Sequence, residues 1–302
     1  MFHCILLLTI TVAQNQIQVN GGLVQMRDIE FADADEDQGL SRALLMDVVF
    51  PTEAEEALPA VLFLHGGGWF GGKRQDGLKA IQMVALGGYF AASIDYRLAE
   101  EGGFPAAVHD CKAAIKFLRL NSDALGIDPT KIGIFGVSAG GHLAALVGFS
   151  AGDQYLDGSI NGDDISTQVT CIASISGAVM PQLADGRGKQ VYEAWALQDQ
   201  AAELERTLPE YYLDDEDPPI YLLCGEDDRV CPVKDTNTFV QILKSKNVKY
   251  DIDIVPNQGH RITEPSAFLG LLEFLDTHLG GNAQSSFKEY LNKKDTSGRG
   301  RK

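Results

Sequence analysis

A chain of 302 residues, 45% hydrophobic and 22% charged, has the length and apolar content for one large α/β domain or two small ones. Its net charge of −17 argues against nucleic acid, because phosphate binding needs a basic surface, and it equally opposes anionic membranes. The acidic excess reads as a well-solvated surface rather than a site for a cationic partner.

The chain opens with an apolar run, Cys4 to Ala13, that is too short to span a bilayer. Thr11 and Ala13 are small enough for a peptidase site before Gln14, although the preceding residues carry no Lys or Arg. Residues 1–13 are therefore expected to form a signal peptide, and the mature chain to be secreted or periplasmic. No later run is long enough for a transmembrane helix.

Leu23 to Phe31 and Leu44 to Phe50 read as two strands joined by an acidic turn from Asp33 to Gly39. The turn departs from a calcium loop, since Gly39 falls one place late and no acid closes it. Val61–Leu64 is a third strand, and Leu78 to Leu86 has a helical pattern. Tyr89 to Ile94 is a fourth strand, and Pro105 opens a helical repeat through Val108, Ile115 and Leu118. Lys131 to Phe135, Val169 to Ile175, Ile220 to Cys224 and Tyr250 to Val255 complete the strands. Strands alternating with helices imply a mostly parallel central sheet, and the two leading strands imply an antiparallel edge.

Two insertions break the rhythm. Ala151 to Gln168 is polar and reads as a surface loop. Gly177 to Pro218, with a helical segment expected around Ala194 to Leu208, reads as a lid or pocket wall on the active-site side. From Gly280 to Lys302 the composition turns polar and basic, so a disordered tail is expected.

The chemistry centres on Gly136-Val137-Ser138-Ala139-Gly140, which lies between the strand ending at Phe135 and an apolar helical run from Gly141. That context suits a nucleophile elbow, a sharp turn that lifts a serine hydroxyl to the top of a sheet. Such a serine needs a base, and the base an acid, in the chain order Ser, Asp or Glu, His. His3, His65, His109 and His142 stand too early, and His278 lies on an amphipathic helix. His260, in the loop after the strand Tyr250 to Val255, is the expected base. The acid lies within Glu226-Asp227-Asp228, where the residues alone leave three carboxylates open. His65-Gly66-Gly67-Gly68-Trp69 matches the HGGG motif whose backbone N–H groups face a developing oxyanion, and the Ala139 N–H adds a donor. His65 itself is expected to tie that loop down.

Residues from about Ala60 to Leu279 resemble an α/β-hydrolase of the hormone-sensitive-lipase-like group, in particular small bacterial acetylxylan or feruloyl esterases. The resemblance rests on His65–Trp69, Ser93–Leu98, Phe104–Ala107 with Asp110, Gly126–Pro129, Gly136–Ala144, Asp217–Pro219, the Asp228 loop and Gly259-His260. It implies an α/β-hydrolase fold over residues 21–279, with helices on both faces of the sheet and the 177–218 segment as a short lid. It also implies that Asp228 is the acid, standing three residues after the strand-ending Gly225. The departures are Asp227 beside it, Cys231 before Pro232, and the lid sequence, which bears on substrate. The expected activity is a serine carboxylesterase with Ser138, Asp228 and His260 as catalytic residues and Gly67, Gly68 and Ala139 as the oxyanion hole. No metal or organic cofactor is implied. The expected partner is a small-molecule or carbohydrate ester of a short acyl group, acetyl first. Other readings on the same fold are a formamidase, a peptidase, or a non-catalytic binding module. Of the five cysteines only Cys224 and Cys231 could reach one another, and they are expected to be free thiols.

Overall fold

The computed structural model describes residues 17–35, 39–197 and 204–289. The expected signal peptide lies outside the described residues. Among the described residues the strands form one sheet: β1 (Ile17–Asn20), β2 (Leu23–Ala32), β3 (Leu44–Pro51), β4 (Leu58–Leu64), β5 (Phe90–Ile94), β6 (Ile127–Val137), β7 (Cys171–Ile175), β8 (Ile220–Gly225) and β9 (Tyr250–Val255). Their spatial order is β1-β2-β3-β5-β4-β6-β7-β8-β9. Strands β4 to β9 run parallel, while β1, β2 and β3 make antiparallel pairs at one edge.

The central strands are apolar along their whole length because both faces are covered. Successive side chains of a strand point to opposite faces, and the core divides accordingly. From β4, Ala60, Leu62 and Leu64 join one apolar cluster, and Val61 and Phe63 join another. Helices α2 (Ala106–Leu120), α4 (Ala139–Phe149) and α7 (Val233–Ser245) pack into the first cluster. Helices α1 (Leu78–Ala85) and α8 (Leu269–Leu279) pack into the second. Short turns α3 (Ser122–Leu125) and α5 (Gln154–Asp157) complete this set. The expected sheet, with its antiparallel edge and helices on both faces, is borne out.

Two buried arginines cross-link the segments after β4 and β5 to neighbouring elements. Arg74 reaches Asp28, Asp47 and Asp95, and its Nε lies 2.9 Å from Asp47 Oδ1. Arg97, just past β5, donates to Asp110 on α2 from its backbone N–H (2.7 Å) and from Nη2 (2.7 Å). These contacts tie the segments that follow β4 and β5 to the antiparallel strands β2 and β3 and to α2.

Four segments differ from the sequence reading. Strand β1 extends the antiparallel edge beyond the expected two strands. The 151–168 loop carries α5, capped by the Asp153 side chain, with Leu156 fully buried. The lid helix α6 runs Gly186–Ala196 rather than around Ala194 to Leu208, where the described part holds 3₁₀ turns at Leu204–Thr207 and Pro209–Tyr211. Tyr192, Trp195 and Ala196 bury one face of α6, and that burial outweighs the helix cost of Gly186 and Gly188. The expected disordered tail is corrected over its first part. Residues 283–289 are helical, with Ala283 and Phe287 buried one turn apart. Asp276 of α8 receives the Ala283 and Gln284 N–H groups at 2.7 and 2.9 Å, which satisfies the start of this helix. Residues 290–302 lie outside the described set.

Candidate active site

Strand β6 delivers Ser138, and α4 begins at the next residue. Ser138 has φ 56° and ψ −120°, a conformation that costs a non-glycine residue roughly 1–3 kcal/mol. Its N–H donates to Ile175 O at 3.0 Å, and its own carbonyl accepts from His142 N at 3.1 Å, which hold the turn in place. The flanking glycines are there for close approach. A Cβ on Gly136 would run into the Gly140 carbonyl, and one on Gly140 into the Leu64 and His65 carbonyls.

The loop after β9 brings in His260. Its Nε2 lies 2.9 Å from Ser138 Oγ and its Nδ1 lies 2.8 Å from Asp228 Oδ2. With Nδ1–H donating to the carboxylate, the Nε2 lone pair faces the serine hydroxyl, the arrangement in which an imidazole can take that proton. The loop after β8 supplies Asp228, whose other oxygen accepts from Val230 N (2.8 Å) and Cys231 N (2.9 Å). Its side chain is fully buried, whereas Glu226 and Asp227 on the same turn are exposed. Of the three carboxylates, Asp228 is the one within reach of His260. The two loops are stitched together by Glu226 N to Val255 O (2.9 Å) and Asp227 N to Gln258 O (2.8 Å).

The loop after β4 carries Gly67 and Gly68, with φ 134° and 61°. A Cβ on Gly67 would collide with the Gly71 carbonyl, so the tight loop needs glycine there. His65 is buried beneath the loop, its ring stacked on Tyr96 at 4.2 Å with Nδ1 donating to Gly66 O at 2.9 Å. Tyr96 OH in turn donates to His65 O at 2.7 Å. Burial pushes the His65 pKa below its ordinary value, in keeping with a neutral ring that supports the loop.

A cavity of about 460 Å³ opens beside Ser138. Gly68, Ala139 and Ser138 line its floor, and Gly67 is not among the lining residues. The lid contributes Leu183, Asp185, Arg187, Val191 and Tyr192, and the Asp228 loop contributes Arg229, Val230 and Cys231. The 177–218 segment thus walls the cavity as expected, but the residues that do so lie on and before α6 rather than on a helix around Ala194 to Leu208. The signal for α6 was the apolar spacing of Val191, Tyr192, Trp195 and Ala196. Cys224 and Cys231 are both free and buried, as expected, and the Cys224 thiol donates to Thr236 Oγ1 at 3.3 Å. Among the described residues no cluster of His, Cys, Asp or Glu is arranged to hold a metal, and no helix is long and apolar enough to cross a membrane.

Known proteins are similar in sequence and share the fold. The family model described as BD-FAE matches residues 46–243. Over 202 residues, 62% of this chain, the sequence is 32% identical to esterase LipC of Mycobacterium tuberculosis, and that alignment spans 48% of the relative's own length. A truncated carbohydrate esterase from gut microbiota superposes with a TM-score of 0.74 at 22% identity, covering 89% of this chain and 99% of that one. The acetyl ester-xyloside bifunctional hydrolase of Caldicellulosiruptor lactoaceticus gives a TM-score of 0.70 at 23% identity, covering 83% and 93%. The fold is that of these α/β-hydrolases, and with two-thirds of its length inside the family model the chain belongs to the BD-FAE family of hormone-sensitive-lipase-like α/β-hydrolases.

Proposed function

We propose that the chain is a serine carboxylesterase acting on short acyl esters, acetyl first, carried on a sugar or small alcohol. The observation behind this reading is the hydrogen-bonded line from Ser138 Oγ through His260 to the buried Asp228, set beside a cavity. Ser138 attacks the ester carbonyl while His260 Nε2 takes its proton. The oxyanion is met by the N–H groups of Gly68 and Ala139, which line the cavity, with the adjoining Gly67 N–H as the third expected donor, each such donor contributing roughly 3–4 kcal/mol to the transition state. The tetrahedral intermediate collapses as His260 returns the proton to the leaving alcohol. A water, deprotonated by the same imidazole, then attacks the acyl-enzyme and releases the acid. Asp228 keeps Nδ1 protonated and stabilises the imidazolium through both half-reactions.

The charged part of the cavity wall supports a preference for short acyl groups. Asp185, Arg187, Arg229, Lys234 and Asp235 share the wall with apolar Leu183, Val191 and Val230. A short acyl group therefore has apolar surface to meet, whereas a long tail reaching the charged groups would strip water from them. A net charge of −17 also works against docking at an anionic lipid interface. Two of the similar structures are a carbohydrate esterase and an acetyl ester-xyloside bifunctional hydrolase, which supports a carbohydrate ester here. Export of the mature chain through residues 1–13 would bring it to such polymers. A chain-length series of nitrophenyl esters followed by acetylated xylan tests the substrate class. The expected maximum is at two carbons with acetate released from xylan, and a maximum at eight carbons or longer would overturn it.

A further inference from the structure

His142, the second residue after the elbow glycine, is fully buried on α4 and touches two other parts of the site at once. Trp69, the last residue of the expected oxyanion loop, donates from Nε1 to His142 Nδ1 at 3.3 Å. On its other side His142 Nε2 donates to the lid carbonyl Thr207 O at 2.8 Å. The partners fix the tautomer. An indole nitrogen only donates and a carbonyl only accepts, so Nδ1 must be bare and Nε2 protonated. The ring is neutral, in agreement with burial that pushes its pKa down to about 4.

The packing repeats the connection. Trp69 stacks on Trp195 of α6 at 5.2 Å and 14°, and the His142 ring stands edge-on to both indoles, at 5.3 Å and 5.5 Å. Thr207 is itself held. Its hydroxyl donates to Leu204 O at 2.6 Å and so accepts from Tyr192 OH, and Tyr192 is a lid residue that lines the cavity. Trp69 has φ 64°, which ties the position of this side chain to the course of the preceding glycines.

We infer that His142 is a positioning residue that fixes the oxyanion loop through Trp69 and the lid through Thr207, so that one imidazole sets both walls of the cavity against Ser138. The inference rests on the esterase reading for its kinetic consequence, and its structural content can be read separately. The two ring nitrogens can be separated by substitution. Asn places its carbonyl oxygen where Nδ1 stands and keeps the Trp69 bond. Gln places its amide nitrogen where Nε2 stands and keeps the Thr207 bond.

The test measures kcat and KM for nitrophenyl acetate on the full chain and its His142→Asn, His142→Gln, Trp69→Phe and Trp69→Phe/His142→Gln variants. Loss of the Trp69 bond should lower kcat by about tenfold in His142→Gln and in Trp69→Phe, and the double variant should be no worse than either. His142→Asn should hold kcat within about threefold and raise KM by about fivefold, because only the lid is released. Wild-type kcat in Trp69→Phe, which keeps the ring packing and needs no change at His142, would overturn the inference. So would additive losses in the double variant. Acrylamide quenching supplies a readout free of activity, since both tryptophans of the chain sit in this cluster, 5% and 0% exposed. Quenching should rise in His142→Asn. If it rises while the wild-type chain is inert toward the ester, the tie stands and the esterase reading falls. If the ester is turned over and quenching is unchanged in both His142 variants, the tie falls.

Discussion

Asp228 meets His260 with one carboxylate oxygen at 2.8 Å and spends the other on the N–H groups of Val230 and Cys231. The acid is thereby locked in rotation, and the imidazole it holds is presented to Ser138 with one nitrogen free.

Substituting Asp228 by Asn should lower kcat by roughly 10⁴-fold through loss of tautomer control, with the fold retained. Asp227→Asn, on an exposed neighbour, should leave kcat within about twofold, in line with ordinary surface substitutions. Steady-state kinetics on the two variants decides this, and the reverse ranking would move the acid to Asp227.

The elbow and the glycine loop were legible because close backbone approach at Gly136, Gly140 and Gly67 leaves a local, residue-specific trace. The strands were legible because burial on both faces makes them continuously apolar. Choosing among Glu226, Asp227 and Asp228 needed the family resemblance. Which carboxylate turns inward depends on the Val230 and Cys231 amides and on a histidine loop 32 residues further on. The lid helix was misplaced because its glycines hide an amphipathic stripe that has meaning only against Trp69. The 283–289 helix was hidden in a polar stretch because its start is satisfied by Asp276, on the preceding helix. The His142 link joins residues 73 and 65 positions away, so no window along the chain contains it.

Arg97→Met should destabilise the chain by about 3–5 kcal/mol, because it leaves the fully buried Asp110 without its guanidinium and with only the backbone N–H of residue 97. Asp110→Leu added to that variant should recover much of the loss, since an apolar pair leaves no unmatched charge. Urea unfolding of the single and double variants checks both statements, and a single-variant loss under about 1 kcal/mol would contradict them.

Stability should fall in acid partly through His142. Its folded pKa is pushed down to about 4 from 6.5, so the unfolded chain takes up the proton first as pH drops. The associated stability is fully present above pH 6.5 and is lost as pH falls to about 4, amounting to about 3 kcal/mol. His65 is shifted in the same direction but is present in wild type and variant alike. Denaturant midpoints between pH 7 and 4 should therefore show a shallower acid loss in His142→Gln than in wild type, and parallel curves would contradict the assignment.

Cys224 and Cys231 should both be alkylated in the unfolded chain without reductant, and reductant should leave kcat unchanged. Protection of the pair until reduction would reveal a disulfide clamp on the Asp228 loop.

The most direct measurement of the central claim is intact-mass analysis after a fluorophosphonate probe, with ester turnover followed in parallel on wild type and Ser138→Ala. One adduct per chain at Ser138, with turnover lost in step and neither seen in Ser138→Ala, is the expected result. Near-wild-type turnover by Ser138→Ala, or an adduct elsewhere that accounts for the lost activity, would contradict the serine mechanism.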